Sequence, residues 1–416
     1  MDTEKKLGVY VHIPFCASRC AYCGFYSTAG RDKLMPDYQY ALLRHIREYA
    51  PQLDGYIVDS VYFGGGTPSY YGSGRLVSLF NALKKHGHVL RSAEVTAEVN
   101  PDSITKEDVQ ALYRAGFNRL SVGVQSANDS VLKSLGRRHD FARAEEAVRD
   151  AREAGFKNIS IDLIYGLPSQ KRDDWADTLS RALALKPEHI SCYGLTIEEG
   201  TQLYVFKDSP FLPSDDEQAD MYLYTVETLS RFGYKQYEVS NFARRGFESV
   251  HNLKYWLGGE YLGFGAAAHS FIGGRRYGIV SDLERYSEGI LYDKSIIETS
   301  EELSDFEKAG EYLMLRLRTV YGISESEYYE IYHCDMDRIL SRLRYFESNG
   351  WAERHDDNWR FTPTGFLLSN TLIGQVLEEQ MRQRSEINKP WLKASGGEDP
   401  QMTMFASGEE RVLKLF

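Results

Sequence analysis

The chain has 416 residues, of which 42% are hydrophobic, and its formal net charge is −11. This length and apolar fraction predict two or three domains with hydrophobic cores. The acidic balance argues against nucleic acid as a main partner, because phosphate binding requires a basic face. The sequence contains neither a segment that resembles a signal peptide nor an apolar run long enough to span a membrane. We therefore expect a cytoplasmic protein with at most peripheral contact to a membrane.

Strand-like and helix-like segments alternate through the first half of the chain. The strand-like segments are apolar and span residues 7–13, 59–66, 93–99, 118–124, 158–166 and 189–195. Between them, apolar residues recur at helical spacing in segments 37–50, 73–87, 106–116 and 141–155. This alternation predicts βα units with parallel strands. We predict an α/β fold in which six such units form a partial (β/α)6 barrel, with an open doubly wound sheet as the alternative.

The pattern changes after the sixth strand-like segment. Residues 196–290 are less regular, and from about residue 300 helical segments precede a small hairpin. We expect a first domain over residues 1–295, a smaller winged-helix-like helical domain over 300–378, and a flexible tail over 380–416. A winged helix often binds DNA, but the acidic charge of the chain disfavours that function here.

Three cysteines, Cys16, Cys20 and Cys23, follow the first predicted strand in one short loop. Three thiolates are one fewer than the four that usually hold a cubane cluster, so one iron would stay open to a ligand. A zinc site would need a fourth Cys or His nearby, and disulfides are disfavoured in a reducing compartment. The C-x3-C-x2-C spacing resembles the signature of radical S-adenosylmethionine (SAM) proteins, which implies a [4Fe-4S] cluster. We interpret the isolated Cys192 and Cys334 as ordinary buried or half-buried residues.

A glycine-rich segment, FGGGTPS at residues 63–69, ends the second predicted strand. Its glycines let the backbone approach a ligand, and its amides and the Thr67 hydroxyl can bind polar groups. Further polar residues lie at or just after later strand ends, where parallel sheets build their ligand sites. Individually, each of them is equally compatible with a surface charge or a helix cap. These residues are Glu98, Gln125, Arg137 and Asp162.

Taken together, these motifs resemble the coproporphyrinogen III oxidase-like branch of radical SAM proteins. The resemblance covers about residues 7–376 and is carried by HIPFC, GGGTPS, GVQS, DLIYGLP and TPTGFLLSN. It implies that the glycine-rich segment binds the amino group of SAM and that Tyr22 packs beside the adenine. The other SAM contacts that the resemblance implies are Tyr10, Gly65, Gly66, Thr67, Glu98, Gln125, Arg137 and Asp162.

Two features separate the chain from the decarboxylating oxidases of this branch. Phe25 stands where those enzymes carry a fourth cysteine, two positions after the third. They also carry an N-terminal arm that covers the substrate, whereas only six residues precede Leu7 here. Both differences argue against coproporphyrinogen III oxidase activity.

The segment HNLKYW, residues 251–256, has the pattern H-N-x-x-Y-W. An imidazole is a good axial ligand for heme iron, and aromatic side chains can pack on a porphyrin face. For a lone histidine, we would favour the interpretation as a hydrogen-bonded core residue beside a tryptophan. In this branch the pattern resembles that of heme chaperones, which implies His251 as a heme ligand. His269 is a second imidazole that is a candidate for the same site.

The resemblance therefore predicts a heme chaperone that binds a [4Fe-4S] cluster, SAM and heme. It implies transfer of heme to apo-hemoprotein acceptors of respiration at the membrane, with an electron donor as a further partner and no nucleic acid. One alternative is a radical SAM enzyme acting on a porphyrin, by coproporphyrinogen III decarboxylation or anaerobic heme ring opening. A nucleic-acid-binding protein is the third hypothesis. Whether the chain is an enzyme stays open.

Overall fold

The computed structural model of the chain describes residues 5–388, with side chains to residue 384. The chain forms two compact units, of which the first ends at Glu302 and the second begins at Leu303. Among the described helices, none has the length and apolar character needed to cross a membrane.

Parallel strands form the centre of the first unit. They are β1 (Lys5–Ile13), β4 (Tyr56–Gly65), β5 (Val89–Val99), β6 (Arg119–Gln125), β7 (Ile159–Tyr165), β8 (His189–Gly194) and β11 (Tyr261–Phe264). Their order across the sheet is β11-β1-β4-β5-β6-β7-β8. The six strands predicted from the sequence are thus present, and β11 adds a parallel strand beside β1 that the sequence did not indicate.

Shorter strands extend this sheet or lie beside it. They are β2 (Phe15–Cys16), β3 (Thr28–Ala29), β9 (Lys235–Gln236), β10 (Asn241–Ala243), β12 (His269–Ile272), β13 (Arg275–Ile279) and β14 (Ile297–Glu302). Strands β12, β13 and β14 continue the sheet antiparallel beyond β11, while β10 and β9 continue it beyond β8. Because β14 pairs with β13, the first unit reaches beyond the boundary of residue 295 that the sequence predicted.

The helices of the first unit connect these strands. They are α1 (Met35–Tyr49), α2 (Pro68–Tyr71), α3 (Ser73–His86), α4 (Lys106–Ala115), α5 (Asp129–Ser134), α6 (Phe141–Ala154), α7 (Arg172–Ala184), α8 (Asp215–Arg231), α9 (Val250–Trp256) and α10 (Leu283–Leu291). Helix α4 shows why the bounds fall where they do. Thr105 and Asp108 form a capping box at its start, and Gly116 ends it with a φ of +107°.

The two faces of β1 differ in character, because side chains alternate along a strand. Val9 and Val11 are fully buried in a hydrophobic cluster that also contains Leu42 of α1. Tyr10 and His12 lie on the opposite, inner face. That inner face carries many buried polar side chains on the neighbouring strands, namely Ser60, Thr96, Arg119, Ser160 and His189. Since buried polar groups require partners, this interior is suited to polar contacts.

The second unit combines helices with a small antiparallel sheet. Its described elements are α11 (Asp305–Arg316), β15 (Ile323–Ser324), α12 (Glu325–Tyr332), α13 (Asp337–Ser348), β16 (Ala352–His355), β17 (Asn358–Phe361), α14 (Pro363–Leu367) and α15 (Ser369–Asn388). The strands pair in the order β15-β17-β16, which with the preceding helices is a winged-helix-like arrangement. The flexible tail predicted from residue 380 is helical up to Asn388, and residues 389–416 lie outside the described residues.

Candidate functional site

The cysteine loop begins where the first parallel strand ends. Cys16 is buried in β2, whereas Cys20 and Cys23 are half-buried in the turn that follows. The amide of Ala21 donates to the carbonyl of Leu135 at 3.0 Å, and the amide of Cys23 donates to the carbonyl of Cys20 at 3.2 Å. The first bond holds the loop against the segment after α5, at the edge where the parallel strands end, and the second closes a turn within the loop.

Polar side chains from three other segments surround the thiols. Thr67 Oγ1 donates to Cys16 Sγ at 3.3 Å, and Arg137 Nη1 donates to Cys20 Sγ at 3.7 Å. Asn100 joins the two, because its Nδ2 donates to Thr67 Oγ1 at 3.2 Å and its Oδ1 accepts from Arg137 Nη2 at 2.8 Å. A continuous chain of polar contacts therefore runs from Cys16 to Cys20.

Asn100 is the site residue that the sequence reasoning missed. It follows directly after β5, two residues beyond Glu98. The rule that polar residues at strand ends build the ligand site would have selected it together with Glu98.

The glycine-rich segment leaves no room for side chains. Gly65 has a φ of +113°, and a Cβ at this position would lie 2.5 Å from His12 Cε1. A Cβ on Gly66 would lie 2.8 Å from the carbonyl carbon of Pro14, and the Gly66 amide donates to the carbonyl of Ile13 at 2.8 Å. The glycines thus bring this backbone against the start of the cysteine loop, so that the two segments border one space.

Glu98 faces the same space from β5. Its Oε2 accepts from the amide of Gly65 at 3.1 Å, and its Oε1 accepts from the hydroxyl of Tyr62 at 2.9 Å. Burial raises the pKa of Glu98 to about 7, although both hydrogen bonds act in the opposite direction. A cationic group of a ligand would favour the charged carboxylate, so Glu98 is suited to bind an ammonium group.

Three polar side chains converge on Gly123 in β6. A Cβ on Gly123 would lie 2.9 Å from Gln125 Nε2, 3.0 Å from Arg137 Nη2 and 3.0 Å from Asn100 Oδ1. Gln125 has a φ of +67°, a left-handed conformation that is rare outside glycine and concentrates at functional sites. The Nε of Arg137 is buried without a hydrogen-bond partner, which leaves one charged donor available to a ligand.

Asp162 is held by three serine hydroxyls, one on its own strand β7 and one on each neighbouring strand. Ser121, Ser160 and Ser191 donate to its carboxylate at 2.8, 3.2 and 2.7 Å. Burial raises the pKa of Asp162, and the hydroxyls oppose this shift. The register of β6 and β7 places Asp162 beside Gly123. The carboxylate therefore has a fixed position next to the polar cluster at the strand ends.

Two tyrosines complete the set that the sequence predicted. The hydroxyl of Tyr10 shares a hydrogen bond with His12 Nδ1 at 3.0 Å, and its ring stacks on Tyr62 at 6.3 Å. Tyr22 lies between the second and third cysteines, where burial raises its pKa and the charge of Arg137 opposes that shift. The structure thus places the predicted SAM residues on the inner face and the adjoining edge of a single sheet.

The cysteine loop offers three thiols as a donor set, which suits an iron–sulfur cluster. Within the described residues, no three His, Cys, Asp or Glu side chains converge closely enough to hold one metal ion. In a cubane cluster each cysteine binds a different iron, so the sulfurs need not converge. Burial, with smaller contributions from the neighbouring Cys20 and Cys16, raises the pKa of Cys23 to about 11. Burial also raises the pKa of Cys16, so iron binding would displace thiol protons from Cys16 and Cys23.

His251 lies on α9, and its ring stacks on that of Tyr10 at 6.4 Å. Its side chain is only 1% exposed and stacks on Tyr62 at 5.2 Å. Nδ1 shares a hydrogen bond with Ser60 Oγ at 3.0 Å, and Nε2 shares one with the hydroxyl of Tyr255 at 2.9 Å. Burial lowers the pKa of His251 to about 3, so the ring is neutral. In this structure both ring nitrogens are engaged within the protein.

A buried carboxylate fixes the start of α9. Glu94 accepts hydrogen bonds from the amides of Val250 and His251 at 3.1 and 3.0 Å. The guanidinium of Arg119, also buried, lies 4.0 Å from the same carboxylate. Negative charge at a helix N-terminus is favourable, so Glu94 anchors α9 to the inner face of the sheet.

Comparison with known proteins shows which family has this arrangement. The radical SAM superfamily matches residues 10–182, and the HemN C-terminal domain matches residues 303–368. The heme chaperone HemW of Haemophilus influenzae is 32% identical to the chain, over 91% of the chain and 100% of its own length. The chain belongs to the HemW family. The HemW of Bacillus subtilis is 33% identical, over 89% of the chain and 99% of its own length.

The chain shares its fold with an oxidase of known structure. Coproporphyrinogen III oxidase (HemN) from Escherichia coli, described as a radical SAM enzyme, matches the chain with a TM-score of 0.79 and 26% identity. The match covers 90% of each chain. This confirms the predicted α/β radical SAM barrel with a smaller C-terminal domain. The radical SAM domain implies two cofactors, a [4Fe-4S] cluster and SAM.

Proposed function

We propose that the chain is a heme chaperone that binds a [4Fe-4S] cluster, SAM and heme and transfers heme to acceptor hemoproteins. The observation that carries this proposal is the similarity to proteins named heme chaperones along almost their whole length. Phe25 supports it, because it stands where a decarboxylating oxidase would supply a fourth cysteine. Its ring is 53% exposed beside the cysteine loop.

The chain's own residues would position the two cofactors. Cys16, Cys20 and Cys23 would hold the cluster, which with SAM supplies one-electron chemistry. Glu98 would bind the ammonium group of SAM, and Arg137 would direct its unused donor toward the polar part of the ligand. The buried, partnered setting of these side chains supports this assignment, because a fixed site requires little reorganisation on binding.

His251 is the heme ligand that the motif predicts. Iron ligation through Nε2 would require the hydroxyl of Tyr255 to move away and α9 to open, since the ring is buried. The neutral state of the ring suits a ligand. Ligation by His251 therefore stays a prediction that a conformational change would have to accompany.

The proposed partners are apo-hemoproteins, including respiratory proteins at the membrane, and a protein that donates electrons to the cluster. We place the chain in the cytoplasm, with peripheral contact where an acceptor is membrane-bound. The second candidate function is a radical SAM enzyme that modifies a porphyrin. The observation in its favour is the similarity to HemN over 90% of both chains.

A transfer assay separates these two functions. The anaerobically reconstituted protein is loaded with hemin and mixed with apomyoglobin, with and without SAM and dithionite. A chaperone is expected to bind hemin saturably and to deliver it intact, which the absorbance of reconstituted myoglobin records. Free hemin at the same concentration is the control for passive transfer. Loss of intact tetrapyrrole, with 5′-deoxyadenosine formed in proportion, would instead establish the porphyrin-modifying enzyme.

A further inference from the structure

The segment between β8 and α8 exposes several large apolar side chains. It includes a short 3-10 helix, Gln202–Phe206, in which Val205 is 80% exposed. Phe211, which follows this helix, is 65% exposed. Single exposed apolar residues are common on protein surfaces, whereas four within eight positions indicate a surface that contacts another molecule. The four exposed apolar residues are Tyr204, Val205, Phe206 and Phe211.

Backbone hydrogen bonds hold this segment beside the cysteine loop. The amide of Leu203 donates to the carbonyl of Ala21 at 3.0 Å, and the amide of Ser169 donates to the carbonyl of Phe211 at 2.6 Å. The side chain of Leu203 is buried in an apolar cluster with Ala21 and Leu135. The backbone is thus fixed at the edge where the parallel strands end, while the apolar side chains between the two hydrogen bonds stay exposed.

Acidic side chains flank the apolar residues. Residues 196–217, which we call the 196–217 segment, contain six acidic residues and one basic residue, Lys207, and all seven are exposed. Glu217 pairs with Lys171, whereas the other five carboxylates form no ion pair within the described residues. The ammonium group of Lys207 lies over the ring of Tyr204, 5.6 Å from its centroid. The segment is therefore an apolar surface with an acidic margin, formed by Glu198, Glu199, Asp208, Asp215, Asp216 and Glu217.

This acidic margin disfavours several occupants. Anionic lipids at a membrane surface attract basic segments and repel acidic ones, and nucleic acid does the same. A second copy of the chain would bring the same carboxylates together, which is unfavourable because like charges repel. Heme itself carries two propionate carboxylates and would be repelled as well. The charge therefore favours an apolar protein surface that has basic residues around it.

An apo-hemoprotein offers such a surface at the mouth of its empty heme pocket. The pocket must be apolar to receive the porphyrin ring. The propionate carboxylates of heme require cationic donors, which arginine and lysine side chains supply near the mouth. An apolar opening with a basic margin is complementary to the 196–217 segment in both polarity and charge.

We propose that the 196–217 segment is the docking surface for the acceptor apo-hemoprotein, which it contacts at the mouth of the empty heme pocket. This inference rests on the proposed heme-chaperone function and adds to it the surface that recognises the acceptor. Because the segment is attached to the cysteine loop, the acceptor pocket would be held next to the edge of the sheet where the cofactors bind. Heme would then pass between the two proteins without release to water.

The test is the rate of hemin transfer from the full-length, cluster-reconstituted protein to apomyoglobin, followed by stopped-flow absorbance over a range of apomyoglobin concentrations. The double variant Val205→Ser with Phe211→Ser removes apolar area from the segment. The double variant Glu199→Lys with Asp208→Lys reverses charge at its margin. Phe232→Ser changes an exposed apolar residue at the opposite end of α8 and is the matched control. Hemin affinity is titrated for every protein.

For the wild type, we expect the transfer rate to rise with apomyoglobin concentration and to fall with added salt, because docking precedes transfer and salt screens opposite charges. The double serine variant is expected to transfer hemin about tenfold more slowly while its hemin affinity stays unchanged. The double lysine variant is expected to transfer more slowly at low salt and to lose the salt dependence. Phe232→Ser should transfer hemin as the wild type does.

Two outcomes contradict the docking surface and leave the proposed function standing. One is transfer at the wild-type rate by the double serine variant, and the other is a wild-type rate that does not depend on apomyoglobin concentration. In both cases the protein still binds hemin and delivers it intact. If the wild type with an intact cluster does not bind hemin saturably, the proposed function and the docking surface are both wrong.

Two further measurements address the other occupants. Sedimentation with vesicles of phosphatidylcholine and phosphatidylglycerol measures membrane binding, and analytical ultracentrifugation measures self-association. Vesicle binding or dimer formation that the double serine variant loses would assign the segment to a membrane or to a second copy, and would contradict the proposal. Because the substituted side chains are exposed, these variants are expected to fold as the wild type does.

Discussion

The cysteine-loop edge and the α9 segment lie on the same unit but differ in how their polar atoms are satisfied. We use the first name for residues 16–23 together with Thr67, Asn100 and Arg137, and the second for residues 250–256. At the cysteine-loop edge, a buried guanidinium nitrogen of Arg137 has no partner. In the α9 segment, both nitrogens of His251 have partners within the protein.

The cysteine-loop edge therefore has a polar atom left to bind a ligand, whereas the polar atoms of His251 are already satisfied by the protein. A buried donor without a partner costs stability unless a ligand or water supplies the acceptor. A buried histidine whose two ring nitrogens are both hydrogen-bonded has no unsatisfied polar atom. Both regions carry motifs of the same family, so the motif identifies a position in the fold and does not by itself establish that the position is open to a ligand.

The largest expected effect is the loss of the cluster when one cysteine is removed. Cys16→Ser, Cys20→Ser or Cys23→Ser is expected to reduce bound iron and acid-labile sulfide to near zero, because each thiolate would hold a different iron. Iron and sulfide analysis after anaerobic reconstitution measures this loss. Cys334→Ser, which changes a half-buried thiol of the second unit, is the control and should keep full iron content. Normal cluster content in any of the three loop variants would contradict the assignment.

Removing the His251 side chain from the α9 segment should lower the stability of the first unit. His251→Ala removes a buried ring that stacks on Tyr62 and leaves the hydroxyls of Ser60 and Tyr255 without their partner. We expect a loss of about 3 kcal/mol in the free energy of unfolding of the first unit. Urea denaturation followed by circular dichroism measures it.

Tyr255→Phe is the graded control for this change, because it removes one hydroxyl and keeps the ring. It is expected to lower the free energy of unfolding by about 1 kcal/mol. If His251→Ala were as stable as the wild type, the hydrogen bonds and packing of His251 would not stabilise the fold. The contrast drawn between the α9 segment and the cysteine-loop edge would then be wrong.

Arg137→Ala tests the cysteine-loop edge without removing a cluster ligand. The loss of a buried, charge-assisted donor is expected to weaken SAM binding by about tenfold to a hundredfold. Isothermal titration of the reconstituted protein with SAM measures the change. Arg149→Ala, on the surface of α6 with 61% of its side chain exposed, is the matched control and should bind SAM as the wild type does. Unchanged affinity in Arg137→Ala would show that the unused donor does not face SAM.

The sequence predicts the cysteine-loop edge well because its signals are local. Cys16, Cys20 and Cys23 fall within eight residues, and Gly65 and Gly66 mark a backbone that side chains would obstruct. The six parallel strands can also be predicted, because apolar runs alternate along the chain with segments of helical periodicity. Asn100 was missed although its position after β5 follows the same rule.

What the sequence could not predict depends on pairing between distant segments. Strand β11 and the antiparallel strands after it are short, and their pairing with β1 and with one another is set by tertiary contacts. The environment of His251 depends on Ser60, which is 191 positions away in the chain. No local sequence pattern distinguishes a histidine that is hydrogen-bonded in such a network from one that is free to bind iron.

The smallest effect we expect is a difference in how stability depends on pH. Burial lowers the pKa of His251 to about 3, whereas an exposed histidine titrates near 6.5. Below pH 6.5 the unfolded chain therefore binds a proton that the folded chain does not bind. Stability falls as the pH decreases through this window, by up to about 1.4 kcal/mol per pH unit for this histidine.

His251→Gln should remove that contribution and flatten the dependence between pH 6.5 and 5.5. Glu98 acts in the opposite direction, because its raised pKa of about 7 lets the folded chain keep a proton that the unfolded chain releases. Since Glu98 is present in both proteins, the difference between wild type and variant isolates His251. Urea midpoints at several pH values measure that difference. Parallel pH profiles would mean that His251 has the same pKa in the folded and unfolded chains, and the buried setting of the α9 segment would then be wrong.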